Sequence, residues 1–154
     1  MVPSKINWRA SIFAYAPLVL WIGVIFFLSS DQGSMVQTSR FIGPLLHFLF
    51  SAASEETIQL YHAYIRKAAH VTEYAVLAAI AFRTLKLSGF IAGTIYRYLL
   101  PVGLVMLIAS IDEFNQSFEP SRTSSPYDVL LDIAGGIIGL ALVWLSFRLR
   151  RRNK

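Results

Sequence analysis

Apolar residues fill four long blocks of this chain, and most polar residues lie between or beyond them. Ala10 to Leu28 is an uninterrupted apolar run, close to the ~20 residues that carry a helix across a bilayer. A basic start followed by an apolar core also describes a secretory signal. The run is longer than a signal core, however, and no Ala-x-Ala-like cleavage site follows Leu28, so a retained helix is expected. Ile65 to Leu85 carries Arg66, Lys67, His70, Thr72 and Glu73 in its first half and is apolar from Tyr74 to Phe82. A third block runs from Tyr98 to about Phe118, with Arg97 snorkelling to the interface. The fourth runs from Tyr127 to Phe147, with Gly135 and Gly139 at the small-xxx-small spacing that lets a neighbouring helix approach closely; Gly136 shares that packing role.

The pattern predicts an all-α integral membrane four-helix bundle forming one domain over residues 1–154, with spans at about 10–30, 65–85, 98–118 and 127–147. Between the first two spans, Asp31 to Arg66 is polar around the apolar piece Phe41 to Ala53, which Gly43 and Pro44 interrupt. That piece is too short to cross a bilayer and reads as a short interfacial or re-entrant helix in the first outer loop. His47 and His62 stand alone in this loop and are read as interfacial or solvated. Ser29, Ser30 and Ser110 are read as packing or capping groups at helix ends.

Composition sharpens the class. With 55% hydrophobic and 15% charged residues and a mean hydropathy of +0.54, the chain is far more apolar than an ordinary soluble domain. Cysteine is absent, which excludes disulfides, thiolate metal sites and cysteine nucleophiles. Most of the +5 net charge sits in Arg148, Arg150, Arg151, Arg152 and Lys154, directly after an apolar helix. Such a cluster marks a cytoplasmic face and meets anionic lipid head groups; nothing in the sequence points to a nucleic-acid partner. Lys5, Arg9, Arg83, Lys86 and Arg97 fall on the same side of a four-span arrangement, so both termini are expected in the cytoplasm of a multi-pass plasma-membrane protein.

The candidate chemistry gathers at the opposite side, above all in Ile111 to Ala134. His70 is 15 positions from Leu85, Asp112 14 from Tyr98 and Asp132 15 from Phe147. At ~1.5 Å per residue this sets one titratable group on each of three helices roughly 21 to 23 Å up a ~30 Å core. Charged side chains at such depth face a protein interior or a wet cavity. The spacings agree: Arg66, His70 and Tyr74 share a face, as do Asp112 with Gln116 and Asp128 with Asp132. Arg122, on the loop between the last two spans, would sit over the mouth, where its guanidinium can bridge carboxylates or grip an oxyanion.

The pattern Lys67-x-x-His70-x-x-Glu73-Tyr74, then Asp112-Glu113-x-x-Gln116-x-Phe118, Pro120-x-Arg122, Asp128-x-x-x-Asp132 and the glycines of the fourth span resembles VanZ-like membrane proteins over nearly the whole chain. Two positions depart from the usual pattern: Ser121, where Gly is frequent, and Asp132, where Asn is frequent. The resemblance implies a small integral membrane protein of a bacterial cell envelope, in a family associated with resistance to the lipoglycopeptide teicoplanin. It implies no particular reaction.

The candidate ligand-binding set is therefore Lys67, His70, Glu73, Asp112, Glu113, Gln116, Arg122, Asp128 and Asp132, forming an outward-facing polar pocket for a membrane lipid or lipid-linked envelope precursor. In an enzymatic alternative, His70, Glu73, Asp112 or Glu113 supplies acid and base for a hydrolase or transferase acting on a lipid-linked substrate at the outer leaflet. In a structural alternative, the same charges only fix helix register or assembly. A divalent cation is compatible with the carboxylates; Mg, Mn or Ca suits them better than zinc, because a single His joins the cluster.

Overall fold

A computed structural model describes residues 8–89, 93, 95–118 and 125–152. It is all-helical, with no strand among the described residues. The elements are α1 (Trp8–Ser29), a 3₁₀ turn (Asp31–Gly33), α2 (Met35–Leu49), α3 (Glu55–Ser88), α4 (Tyr96–Gln116) and α5 (Pro126–Arg152). Among these, α1, α4 and α5 are long and apolar enough to cross a membrane.

Local chemistry explains the boundaries. Ser34 caps α2 by accepting the Gln37 amide, and Ser54 caps α3 by accepting that of Thr57, with Glu55 and Glu56 in the first turn where the helix dipole favours them. Gly89, at φ +63°, ends α3 in the left-handed conformation that glycine adopts without strain. Pro126 opens α5 at a position where its missing N–H is no loss. At the other end α5 continues to Arg152, so Arg148, Arg150, Arg151 and Arg152 of the basic cluster are helical.

Two helices reach beyond the stretches that apolar pattern marks. The helix holding the apolar stretch 65–85 begins at Glu55 and runs 34 residues, ~51 Å against a ~30 Å hydrocarbon core. The extra turns carry Ile58 and His62, both buried, against which α2 packs. The helix of the first outer loop likewise starts earlier than Phe41, because Ser34 supplies the cap, and it continues through Gly43 and Pro44 to Leu49. Its 15 residues are too few to cross a bilayer. Leu46 is buried, whereas Phe41 and Phe48 are exposed on its outer side.

The third helix is the axis of the bundle, in contact with α1, α2, α4 and α5. Tyr74, Leu77 and Ala78 of α3 pack with Ile25, Val105, Ala109 and Leu140 in one core. Helices α3 and α5 run side by side with almost no separation. A Cβ at Gly135 would lie 2.5 Å from the Val71 carbonyl oxygen, and one at Gly139 would overlap the Ala75 carbonyl. Only glycine permits that approach, in line with the spacing noted above. Gly136 points instead at the Val105 side chain of α4. At the far end, Thr84 donates to the Ala14 carbonyl at 2.9 Å, tying the start of α1 to the end of α3.

Candidate functional site

The parallel seam between α3 and α5 brings their polar faces into register. Lys67 Nζ donates to Asp128 Oδ1 at 2.6 Å, and one turn on, His70 Nδ1 lies 3.9 Å from Asp132 Oδ1. The first is a true charge-assisted contact at a partly exposed edge; the second is too long for a hydrogen bond and leaves a gap between buried groups. Asp132 Oδ1 accepts no hydrogen bond among the described residues, although Asp132 is only 2% exposed.

The end of α4 supplies the third wall. Asp112, Glu113 and Gln116 are all buried there. Gln116 bridges two helices: Arg66 Nη2 donates to its Oε1 at 3.4 Å, and its own Nε2 donates to Asp112 Oδ2 at 3.0 Å. Asp112 Oδ2 also accepts from Ser29 Oγ of α1 at 2.7 Å and from the Tyr74 hydroxyl of α3 at 3.2 Å. One carboxylate oxygen thus joins α1, α3 and α4. Glu113 faces the other way and accepts the backbone amide of Ser125, holding the end of α4 to the start of α5.

Between these walls is a cavity of about 110 Å³, lined by Arg66, Lys67, His70, Glu113, Gln116, Asp128 and Asp132, with Ala63 and Leu131 as its apolar patches. It is polar and has room for several waters or for a small polar group of a larger ligand. Of the residues expected in the site, Lys67, His70, Glu113, Gln116, Asp128 and Asp132 line the cavity. Asp112 and Glu73 do not. Asp112 is drawn into its hydrogen-bond hub, where its partner on α3 is Tyr74, one turn further along than His70. Glu73 lies deeper, close enough for its charge to act on Asp132. Arg122 lies outside the described residues.

Among the described residues the cavity wall carries the carboxyl groups of Glu113, Asp128 and Asp132 beside the cations Arg66 and Lys67. Such a wall offers both acceptors and donors to the hydroxyl, amide or amine groups of a ligand. Among the described residues, no three His, Asp or Glu side chains converge with the spacing a metal ion needs, so the donor set for a divalent cation is not assembled there.

Above the cavity, His62 is buried at 6% exposure, its Nε2 3.0 Å from Thr38 Oγ1 of α2. Of the interfacial or solvated reading, the solvated half is thereby corrected: the first turns of α3, before its apolar stretch, put His62 under α2. Burial, followed by the neighbouring Arg66 charge, lowers its pKa from the usual imidazole value. His47 pairs with Glu55 at 3.3 Å in a more exposed position.

Sequence reasoning missed Ser29 and Tyr74 as parts of the polar network. Tyr74 was legible as a member of the His70 face. For Ser29 the only signal is a hydroxyl ending an apolar helix on the side of the bundle where the acids lie. The VanZ/LLP1 family profile matches residues 14–148. No curated protein and no solved structure matches the chain.

Proposed function

The chain belongs to the VanZ/LLP1 family, and from that premise we propose that it is a multi-pass membrane protein of the bacterial cell envelope whose polar cavity binds a lipid-linked or amphiphilic envelope ligand. Membership of this family is associated with resistance to teicoplanin-type glycopeptides. On this reading α3 also crosses the membrane, as the second of four spans, both termini are cytoplasmic, and the cavity opens toward the outer leaflet. The observation that carries the proposal is the gap itself. Polar side chains from three helices converge on a cavity of about 110 Å³ without closing it, and Asp132 Oδ1 accepts no hydrogen bond among the described residues. An oxygen so placed on the wall of a polar cavity is open to a donor from outside the chain. Ligand hydroxyl or amine groups would complete it, while the lipid portion would lie along the exposed apolar flanks of the bundle.

The test is susceptibility to teicoplanin, together with mass spectrometry of lipids retained by the purified protein, for His70→Ala and Asp132→Asn. At normal expression levels both variants are expected to lose the co-purifying ligand and the shift in susceptibility. Unchanged values of both would refute the reading and leave the structural alternative. The His70–Asp132 pair favours a second reading, a hydrolase or transferase in which the imidazole serves as base. That reading requires time-dependent conversion of a purified envelope lipid fraction, abolished by His70→Ala.

A further inference from the structure

The end of the bundle opposite the polar cavity carries a second site. A cavity of about 590 Å³ opens between the end of α3, the first turn of α4 and the end of α5. That volume is within the ~300–1,000 Å³ range of small-molecule sites. Lys86, Arg97, Arg148 and Arg151 all contribute to its wall, and no acidic residue does. This is a property of the whole end of the molecule. None of the nine Asp and Glu residues lies between positions 74 and 111 or after 132, so no side-chain carboxylate of this end can neutralise the four cations.

Two of the cations are held in place. Lys86 Nζ sits 4.3 Å from the centre of the Phe147 ring, and the Arg148 guanidinium 5.0 Å from that of Trp144. Cation–π contacts steady the two charged heads while leaving their N–H groups to donate. The lining residues Arg97 and Tyr98 belong to the first turn of α4, so the positive end of that helix dipole adds to the field. Four like charges around one cavity repel one another unless an anion joins them. Trp144 and Tyr98 are residue types that favour the level of lipid head groups. The exposed Leu99 and Leu145, next in sequence to lining residues, continue the surface in apolar form.

We infer that this cavity is a binding site for the phosphate of an anionic phospholipid, with Arg97, Arg148, Arg151 and Lys86 around the head group and the acyl chains along α4 and α5. The site is independent of the function proposed above. A soluble phosphate shares the head-group chemistry but does not use the apolar flank, and this separates the two sources.

Native mass spectrometry of the full chain, released from nanodiscs of equal parts phosphatidylglycerol and phosphatidylcholine, tests the assignment. Retention of phosphatidylglycerol is expected to exceed that of phosphatidylcholine by at least about tenfold. Arg97→Gln combined with Arg148→Gln should remove about tenfold or more of that preference. Arg9→Gln combined with Arg152→Gln removes the same charge at the same end but outside the cavity, and should change it by less than about threefold. Equal losses in the two pairs would reduce the effect to general surface charge and overturn the site. So would the absence of any preference in the unaltered chain, or glycerol phosphate in detergent displacing phosphatidylglycerol at equal concentration. The last two measurements need no variant, so a misfolded double mutant would not shelter the assignment.

Discussion

Replacing Gly139 with alanine adds a single methyl group at the tightest point of the fold. At Gly135 a Cβ would be 2.5 Å from the Val71 carbonyl oxygen, and the geometry at Gly139 against Ala75 is tighter still. The obstacle in both cases is main chain, which no rotamer change can move. Helix α5 must retreat from α3 by about 0.5 Å at Gly135 to reach even the shortest contacts real Cβ atoms show, and by more at Gly139. A radial gap of ~0.5–1 Å forfeits a quarter to a half of the dispersion energy along the seam it opens. Overpacking of this kind costs about 1–3 kcal/mol, occasionally more, and the better helix propensity of alanine offsets about 1 kcal/mol. The net expectation is about 0–1 kcal/mol for Gly135→Ala and about 1–2 kcal/mol for the tighter Gly139→Ala. At roughly 2–4 °C per kcal/mol, Gly139→Ala should lower Tm by about 2–8 °C. Gly136→Ala meets only Val105 methyls at 3.0 Å, and Gly23→Ala meets nothing within 4 Å. The first should be nearly neutral and the second neutral or slightly stabilising. Thermal unfolding followed by fluorescence-detected size exclusion, with all four variants in one detergent, gives the order. A Tm for Gly139→Ala equal to that of Gly23→Ala would refute the close-seam argument. Because the same retreat pulls Asp132 and Asp128 away from α3, Gly139→Ala should also reduce ligand retention by the polar cavity.

Further outcomes follow from the same geometry. Asp112→Ala leaves the hydroxyls of Ser29 and Tyr74 and the Gln116 amide without their shared acceptor, and should cost on the order of 3–5 kcal/mol, against about 1–2 kcal/mol for Tyr74→Phe; the double variant should fall well short of the sum in thermal unfolding. The His62 pKa is lowered in the folded state, so the unfolded or undocked form binds the proton more readily. Docking of α2 should therefore be at full strength above about pH 6.5 and weaken as the pH falls below it. Spin labels at Phe48 and Leu60 should report a distance distribution that broadens in acid, and His62→Gln should abolish the pH dependence. Lys67→Ala breaks an ion pair whose lysine is 54% exposed, so Tm should move by less than about 3 °C; a larger fall would mean that the pair anchors the seam.

Much of this was readable before any coordinates. Three of the spans could be placed by apolar length alone, and the i,i+4 faces of Arg66 with His70 and Asp128 with Asp132 were legible because side chains four apart on a helix must share a side. Two things were not. The start of α3 at Glu55 and that of α2 at Met35 depend on Ser54 and Ser34 acting as caps in a polar stretch, where no apolar period marks a helix. The partner of each acid depends on how the helices are rotated about their axes. Gly135 and Gly139 determine that rotation for α5, turning Asp132 toward His70. Asp112 turns toward Ser29 and Tyr74, on two helices whose distance from it in sequence conceals the contact. Counting residues along the axis speaks to the level of such groups and is silent on their bearing.

The hub at Asp112 also orders biosynthesis. A chain made from its N-terminus delivers Ser29 first and Tyr74 second, and only then the helix bearing the carboxylate. Both hydroxyls have been synthesised by the time Asp112 leaves the ribosome, so this acid has donors to meet on entering the bilayer and is spared a lone exposure to lipid.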